Sequence, residues 1–239
     1  MTPAETAAAL KKTIGDVGFG FMTDPLTREA GKAVGLRGRP LYFLGRGGAL
    51  GDAPAEVVVA AFAFFPPAAV TEHWNAGRAV MAPAEAGVLY TGQCAEWGRR
   101  TYTGKPGIER ALALFERVAD AADALGLPLF AGWRALPRVD DAPGRLAQVL
   151  NVLREHRGSA HACAVALVGL GALEATVAGA YGPAGAQFLG WPEPYPDPEP
   201  HRAQWEQAES LTSAAAALPF AVLTAEERAE LVDLVAAWG

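Results

Sequence analysis

Residues 153–161, Leu-Arg-Glu-His-Arg-Gly-Ser-Ala-His, place five ionisable side chains within nine positions: Arg154, Glu155, His156, Arg157 and His161. Runs rich in Ala, Leu and Val flank them on both sides. A charge withdrawn from water is costly unless it is paired or used. A fold containing this segment must therefore pair the group internally or present it to a ligand, and the surrounding apolar segments must pack accordingly.

The 239-residue chain can form one large domain or two small ones. A hydrophobic content of 51% against 19% charged residues describes a folded chain, not a disordered one. The formal charge of -6 argues against a general polyanion binder while leaving room for a local basic patch. Cys94 and Cys163 lie far apart without metal-type spacing, so no disulfide framework is expected. Lys11 and Lys12 interrupt the one N-terminal stretch that could begin a signal peptide. The apolar run 160–172 carries His161, is broken by glycines and is too short to span a bilayer. These features predict a soluble cytoplasmic protein without a membrane segment.

Along the chain the pattern is helical. A short amphipathic helix over 3–14 is followed by a glycine-rich joint at 15–20. Asp24 then caps a helix with Pro25 in its first turn and Gly35 as its stop. Ile108, Leu112, Phe115, Val118, Ala122 and Leu125 fall on one helical stripe. Residues 128–137 read as a loop carrying Trp133, and Asp140 or Asp141 caps the helix leading into Arg154. Thr224 and Glu227 have the spacing of a capping box. Only Leu41–Leu44 tempts as a strand, so the expected fold is all-α with little or no sheet. The expected organisation is an N-terminal helical half (1–135), central helices carrying the charged motif (136–189), a linker (190–200) and closing helices (201–239). Proline at every second position from 192 to 200 predicts an extended, polyproline-like linker. Arg46-Gly47-Gly48-Ala49 and Arg157-Gly158-Ser159-Ala160 each precede an Ala/Val-rich segment. Such a short match fits either two pseudo-repeated halves or chance.

On a continuous helix Arg154, Arg157 and His161 share a face, and Glu155 points elsewhere. If the helix breaks at Gly158, the following helix offers its N–H groups and positive dipole end beside two arginines, a site suited to a carboxylate or phosphate. Arg46, among glycines beside Tyr42, would make a second such joint. Equally, Arg154, Glu155 and Arg157 could form a structural ion-pair network with His156 and His161 as satisfied, partly buried histidines. No metal site is expected: His156 and His161 are five apart, where the familiar helical pair is four apart with an intervening Glu. Cys163 reads as a core residue, His73-Trp74 as packing at a helix end, and residues 45–51 lack the Walker pattern.

The motif Arg154-Glu155-His156-Arg157-Gly158, with Gly169-Leu170 and Leu173-Glu174-Ala175 after it, resembles a mainly actinobacterial family of unassigned activity. Its members are labelled helix-turn-helix proteins, sometimes SalK-like. Gly35-Leu36-Arg37-Gly38, Tyr42-Phe43-Leu44-Gly45-Arg46 and Glu209-Ser210-Leu211-Thr212 extend the resemblance over most of the chain. It implies a transcriptional regulator. Typical members, however, carry a winged-helix-like segment after the Gly-Trp that matches Gly190-Trp191. Here that place holds the proline-rich linker and one helix, and Arg202 is the only Lys or Arg between Arg157 and Arg228. A groove-reading helix needs exposed cations, so nucleic acid is an unexpected partner.

The leading expectation is thus a small-molecule-binding helical protein. Tyr42, Arg46, Arg154 and Arg157 would hold an anionic or polar ligand, and His156 or His161 would act as general acid or base if the protein is an enzyme. The sequence names no cofactor. A regulator or its ligand-sensing remnant is the first alternative, and a structural protein, such as a homodimer closed over an apolar face, is the second.

Overall fold

The structure, a computed structural model, describes residues 1–239 and contains thirteen α-helices and no strand. In chain order these are α1 (Pro3–Thr23), α2 (Pro25–Ala33), α3 (Arg39–Gly47), α4 (Ala55–Phe62), α5 (Pro67–Arg78), α6 (Pro83–Tyr102) and α7 (Ile108–Ala121). They continue with α8 (Pro128–Ala135), α9 (Ala142–Leu167), α10 (Ala172–Ala178), α11 (Gly182–Leu189), α12 (Arg202–Ala217) and α13 (Ala225–Ala236). The all-α expectation holds. No single helix is long and apolar enough to cross a membrane.

The capping chemistry reads as its residues suggest. Asp24 accepts from the Leu26 N–H at the start of α2, Asp141 accepts from Gly144 at the start of α9, and Thr224 and Glu227 close a capping box on α13. α9, about 39 Å long at 1.5 Å per residue, is the axis of the molecule, packed by α1, α6, α7, α8 and α12. Its first half is buried on every side through Leu146, Val149, Leu150, Val152 and Leu153. One apolar core of 38 buried residues runs from Leu10 to Trp238.

Three local readings of secondary structure give way for physical reasons, the continuous helix is the one of the two Gly158 readings that holds, and Cys163, read as a core residue, is exposed. The predicted joint at 15–20 is the C-terminal part of α1, because Gly18 and Gly20 are contact glycines: a Cβ at Gly18 would lie 2.0 Å from Arg154 Nε, and one at Gly20 would lie 2.4 Å from the Trp97 ring. Leu41–Leu44 lies inside α3, since a short apolar run cannot distinguish a buried helix from a strand. Residues 128–135 form α8, which drives Trp133 into the core, where its indole N–H donates to the Arg46 carbonyl at 3.1 Å. Finally, Gly158 does not break α9, which runs on to Leu167. The break comes at Gly169, whose φ of 71° is left-handed, and α10 leaves at 109° to α9. The segments of Arg46 and Arg157 are accordingly unlike: the first closes α3, the second is mid-helix.

Candidate functional site

Glu155 is the pivot of an ion-pair cluster that ties α9 to α3, which agrees in part with the ion-pair reading the sequence left open. Its carboxylate is fully buried between α9 and α3. Oε1 accepts from Arg46 Nε at 2.9 Å and from Arg154 Nη1 at 2.8 Å, while Oε2 accepts from Arg46 Nη2 at 2.8 Å. Burial alone would push this carboxyl up, but Arg46 and Arg154 outweigh it and hold the group below the usual carboxylate range. Burial pulls on Arg46 as well, and the neighbouring Glu155 and Tyr42 more than restore its proton. The Arg46 guanidinium also lies over the Phe62 ring, 4.7 Å from its centroid, and donates from Nη1 to the Tyr42 hydroxyl at 3.1 Å. Two guanidinium groups on one carboxylate leave a surplus of one positive charge.

Glycines make room for this cluster. Arg154 lies against Gly18 of α1, and the Tyr90 ring lies on Gly45 of α3, where a Cβ would come within 2.6 Å. The Tyr90 hydroxyl and both polar atoms of Asn151 are buried without a hydrogen-bond partner. Burial pushes the Tyr90 hydroxyl well up. Tyr42 adds to this and Arg46 and Arg154 oppose it, so all four groups act on one another electrostatically.

A second cluster lies further along α9. Glu209 of α12 takes Arg157 Nη2 at 2.8 Å and Lys11 Nζ at 3.2 Å on Oε2, with His161 Nδ1 3.5 Å from Oε1. His161 Nδ1 is also 2.9 Å from Thr212 Oγ1, which donates its own proton to the Ala208 carbonyl at 2.7 Å. Thr212 can therefore only accept from the ring, so Nδ1 carries the proton and Nε2, without a protein partner, is the lone-pair nitrogen. Burial lowers the His161 pKa; Glu209 opposes this, and Arg157 and Lys11 add to it, so the neutral ring is favoured. His156 does not join either cluster. It faces Phe130 of α8, with ring centroids 4.9 Å apart, and burial and then Arg134 lower its pKa.

Of the predicted site residues, Tyr42, Arg46 and Arg154 thus meet around Glu155, Arg157 and His161 meet around Glu209, and His156 stands apart. The sequence reading did not single out Tyr90, Asn151 or Phe64, and it grouped Glu155 with Arg154 and Arg157, not with Arg46. A polar Asn151 amid Val149, Leu150, Val152 and Leu153 was the one available signal.

Between the two clusters lies Gly158. The helical period puts Asn151, Arg154, Gly158 and His161 along one stripe of α9. A Cβ on Gly158 would meet nothing within 4 Å, although most glycines inside the helices are in tight contact. On α1, Lys11, Gly15 and Gly18 form a matching stripe: Lys11 reaches Glu209, Gly18 receives Arg154, and Gly15 between them is equally open. The aromatic edge is supplied by the segment after α4. Ala63 has φ 40°, and the Phe64 N–H reaches the Phe62 carbonyl at 2.5 Å, a tight γ-turn in a region non-glycine residues avoid. That turn sets Phe64 against His161, with centroids 5.3 Å apart, and Phe65 against Tyr42 at 5.5 Å. The Phe64 carbonyl is held by the Trp191 indole at 2.8 Å.

A concavity of about 610 Å³ lies elsewhere, bordered by Glu226, Glu230 and Asp233 beside Pro106. Its Glu230 is paired with Arg110 of α7, which donates from Nε at 3.0 Å and from Nη2 at 2.8 Å.

Two helix pairs along the chain are sharply bent. α9 and α10 meet at 109° across the four residues 168–171, and the α12 segment meets α13 at 111°. Both lie within the range of a helix-turn-helix pair. A helix-turn-helix family model matches residues 7–195, which include the α9–α10 pair, and the chain belongs to that family. Neither the curated proteins nor the solved structures give a match. In the second helix of each pair the charge is predominantly negative: α10 has Glu174 alone, and α13 has Glu226, Glu227, Glu230 and Asp233 against Arg228.

Proposed function

We propose that the protein binds a small anionic molecule in the open space over Gly158. Arg154 and Tyr42 meet the charge, and His161 closes the far end with its open Nε2. The observation that carries this reading is Gly158 itself. A glycine inside a helix costs up to about 1 kcal/mol relative to alanine. At Gly18, Gly45 and Gly98 close packing requires it, because a Cβ there would come within 2.6 Å of another residue. At Gly158 no contact of the fold requires it, and the residue is framed by arginines on both sides.

The test separates fold from function. Gly158→Ala is expected to stabilise the free protein by up to about 1 kcal/mol through helix propensity, and Gly158→Leu to fill the open space. Thermal shift against a panel of acetate, phosphate, citrate and phenylacetate should show a stabilising anion for the wild type and none for Gly158→Leu. If Gly158→Leu responds as the wild type does, that space is not the site.

Family membership favours a second reading, a DNA-binding regulator. Phosphate contacts dominate such binding and make it fall steeply with salt. α10 offers the backbone no cation, and α13 has one against four carboxylates. The helix-turn-helix pair would then serve as a scaffold. Salt-dependent anisotropy shifts with duplex DNA, abolished by substitutions in α10, would reverse that assignment.

A further inference from the structure

We infer that the cleft between the α10–α11 joint and the start of α12 is a docking site for an extended, proline-rich acidic peptide. The cleft has a volume of about 430 Å³ and is bordered by residues 177–183 on one side and by Pro198, Arg202 and Trp205 on the other. That volume falls within the range of about 300–1,000 Å³ usual for ligand clefts. None of its bordering residues belongs to the Glu155 or Glu209 cluster, so it stands or falls apart from the space over Gly158.

Unpaired donors collect at this cleft. Four of the six tryptophans donate their indole N–H to a backbone carbonyl: Trp74 to Ala53, Trp133 to Arg46, Trp191 to Phe64 and Trp238 to Pro106. Trp205 packs on the small apolar core around Ala208, and its indole N–H has no acceptor in the chain. Gly179 keeps that N–H uncovered. Its φ of -72° suits any residue, but a Cβ there would lie 3.3 Å from Trp205 Nε1. The backbone N–H groups of Ala180 and Tyr181 are also without an acceptor. Arg202 is the one charged residue at the border. Its Nε meets Glu199 at 3.2 Å in a solvated pair, with the two side chains 50% and 74% accessible, and its Nη atoms have no protein partner. Glu199 and Glu206, the acids nearest to it in sequence, do not border the cleft.

The remaining groups select a peptide. The carbonyls of Val177 and Ala178, at the end of α10, take no hydrogen bond and border the same cleft, a poor wall for a bare oxyanion. Tyr181, 84% exposed, adds a flat aromatic face, and Pro183 and Pro198 add two pyrrolidine rings. Flat rings beside a free indole N–H suit a polyproline-type strand. Its pyrrolidines lie on the rings, its carbonyls are unpaired within the strand and can accept, and it arrives already extended, with little entropy left to lose. Arg202 then favours a carboxylate among the prolines.

The experiment uses the full chain and three acetylated, amidated peptides in calorimetric titration: Pro-Pro-Glu-Pro-Pro, its lysine-centred analogue Pro-Pro-Lys-Pro-Pro, and Ala-Ala-Glu-Ala-Ala. The acidic proline peptide should bind, with the alanine peptide weaker by at least about tenfold. Trp205→Phe keeps an aromatic ring and removes the indole N–H, and should weaken the acidic proline peptide about threefold to tenfold, the scale of one neutral hydrogen bond. Arg202→Gln should bring the acidic and lysine-centred peptides to equal affinity. Gly158→Leu should bind all three as the wild type does. No response to the acidic proline peptide, an alanine peptide that matches it, or unchanged binding by Trp205→Phe would each overturn the inference. So would inorganic phosphate displacing the peptide, which would put a small oxyanion in the cleft. A wild-type dimer that Trp205→Phe turns into a monomer in sedimentation would also overturn it, by seating a second copy there.

Discussion

The two arginine–carboxylate clusters on α9 are built from the same parts and placed in different media. Around Glu155, two guanidinium groups share a carboxylate with no solvent access. Around Glu209, an arginine, a lysine and a histidine share a carboxylate whose side chain is 20% accessible. At low effective dielectric an ion pair is strong and an unpaired charge is very costly; at a wet surface the same geometry is worth little. The Glu155 cluster therefore ties α3 to α9 through a dry ion pair, and the Glu209 cluster is a partly wet seam between α12, α9 and α1. Gly158 lies on α9 between the two.

The sharpest way to break this comparison is to neutralise each pivot. Glu155→Gln leaves Arg46 buried opposite an amide and should cost about 3–5 kcal/mol in urea unfolding, with little response to added salt. Glu209→Gln should cost about 1 kcal/mol or less, and that difference should shrink further in 1 M salt as screening shortens to about 3 Å. Equal costs for the two variants would mean that the clusters do not differ in kind.

Much of this was readable from residues alone. Caps at Asp24, Asp141 and Thr224 are local hydrogen bonds between neighbours in sequence, and the apolar stripe of α7 is a local period, so both survive without tertiary knowledge. What did not survive depends on partners far along the chain. The pairing of Glu155 with Arg46 was not legible because the two lie 109 residues apart. Gly18 and Gly20 look like a flexible joint until Arg154 and Trp97 are seen crossing them. Gly158 looks like a helix break, but α9 is gripped by neighbours along its length, and tertiary packing overrides a propensity cost of about 1 kcal/mol. The polar motif was legible as a group needing partners, and its division into two clusters was not.

The smallest expected effect tests whether His161 belongs to the seam. Its folded-state pKa lies below the ordinary histidine value of 6.5, first because of burial; Glu209 opposes this, and Arg157 and Lys11 add to it. The unfolded chain thus binds a proton at a higher pH than the folded one, and the sign follows. Stability from the neutral ring is complete above about pH 6.5 and is lost as pH falls through that value towards the folded pKa. His156, also lowered by burial, contributes in the same direction. The carboxyl of Glu209 is held below the usual carboxylate range in the folded protein, mainly by Arg157 and Lys11 against the effect of burial, and stays outside this window. Urea midpoints between pH 7.5 and 5 should therefore decline, and His161→Asn, whose amide N–H can replace Nδ1–H towards Thr212, should flatten part of the decline. Glu209→Gln should steepen it, because the one group favouring a charged ring is gone. The matching change at Tyr42, Tyr42→Phe, alters only the Glu155 cluster and should leave the slope as it was. A slope unchanged in Glu209→Gln would detach His161 from the seam and place its proton under the control of burial and Thr212 alone.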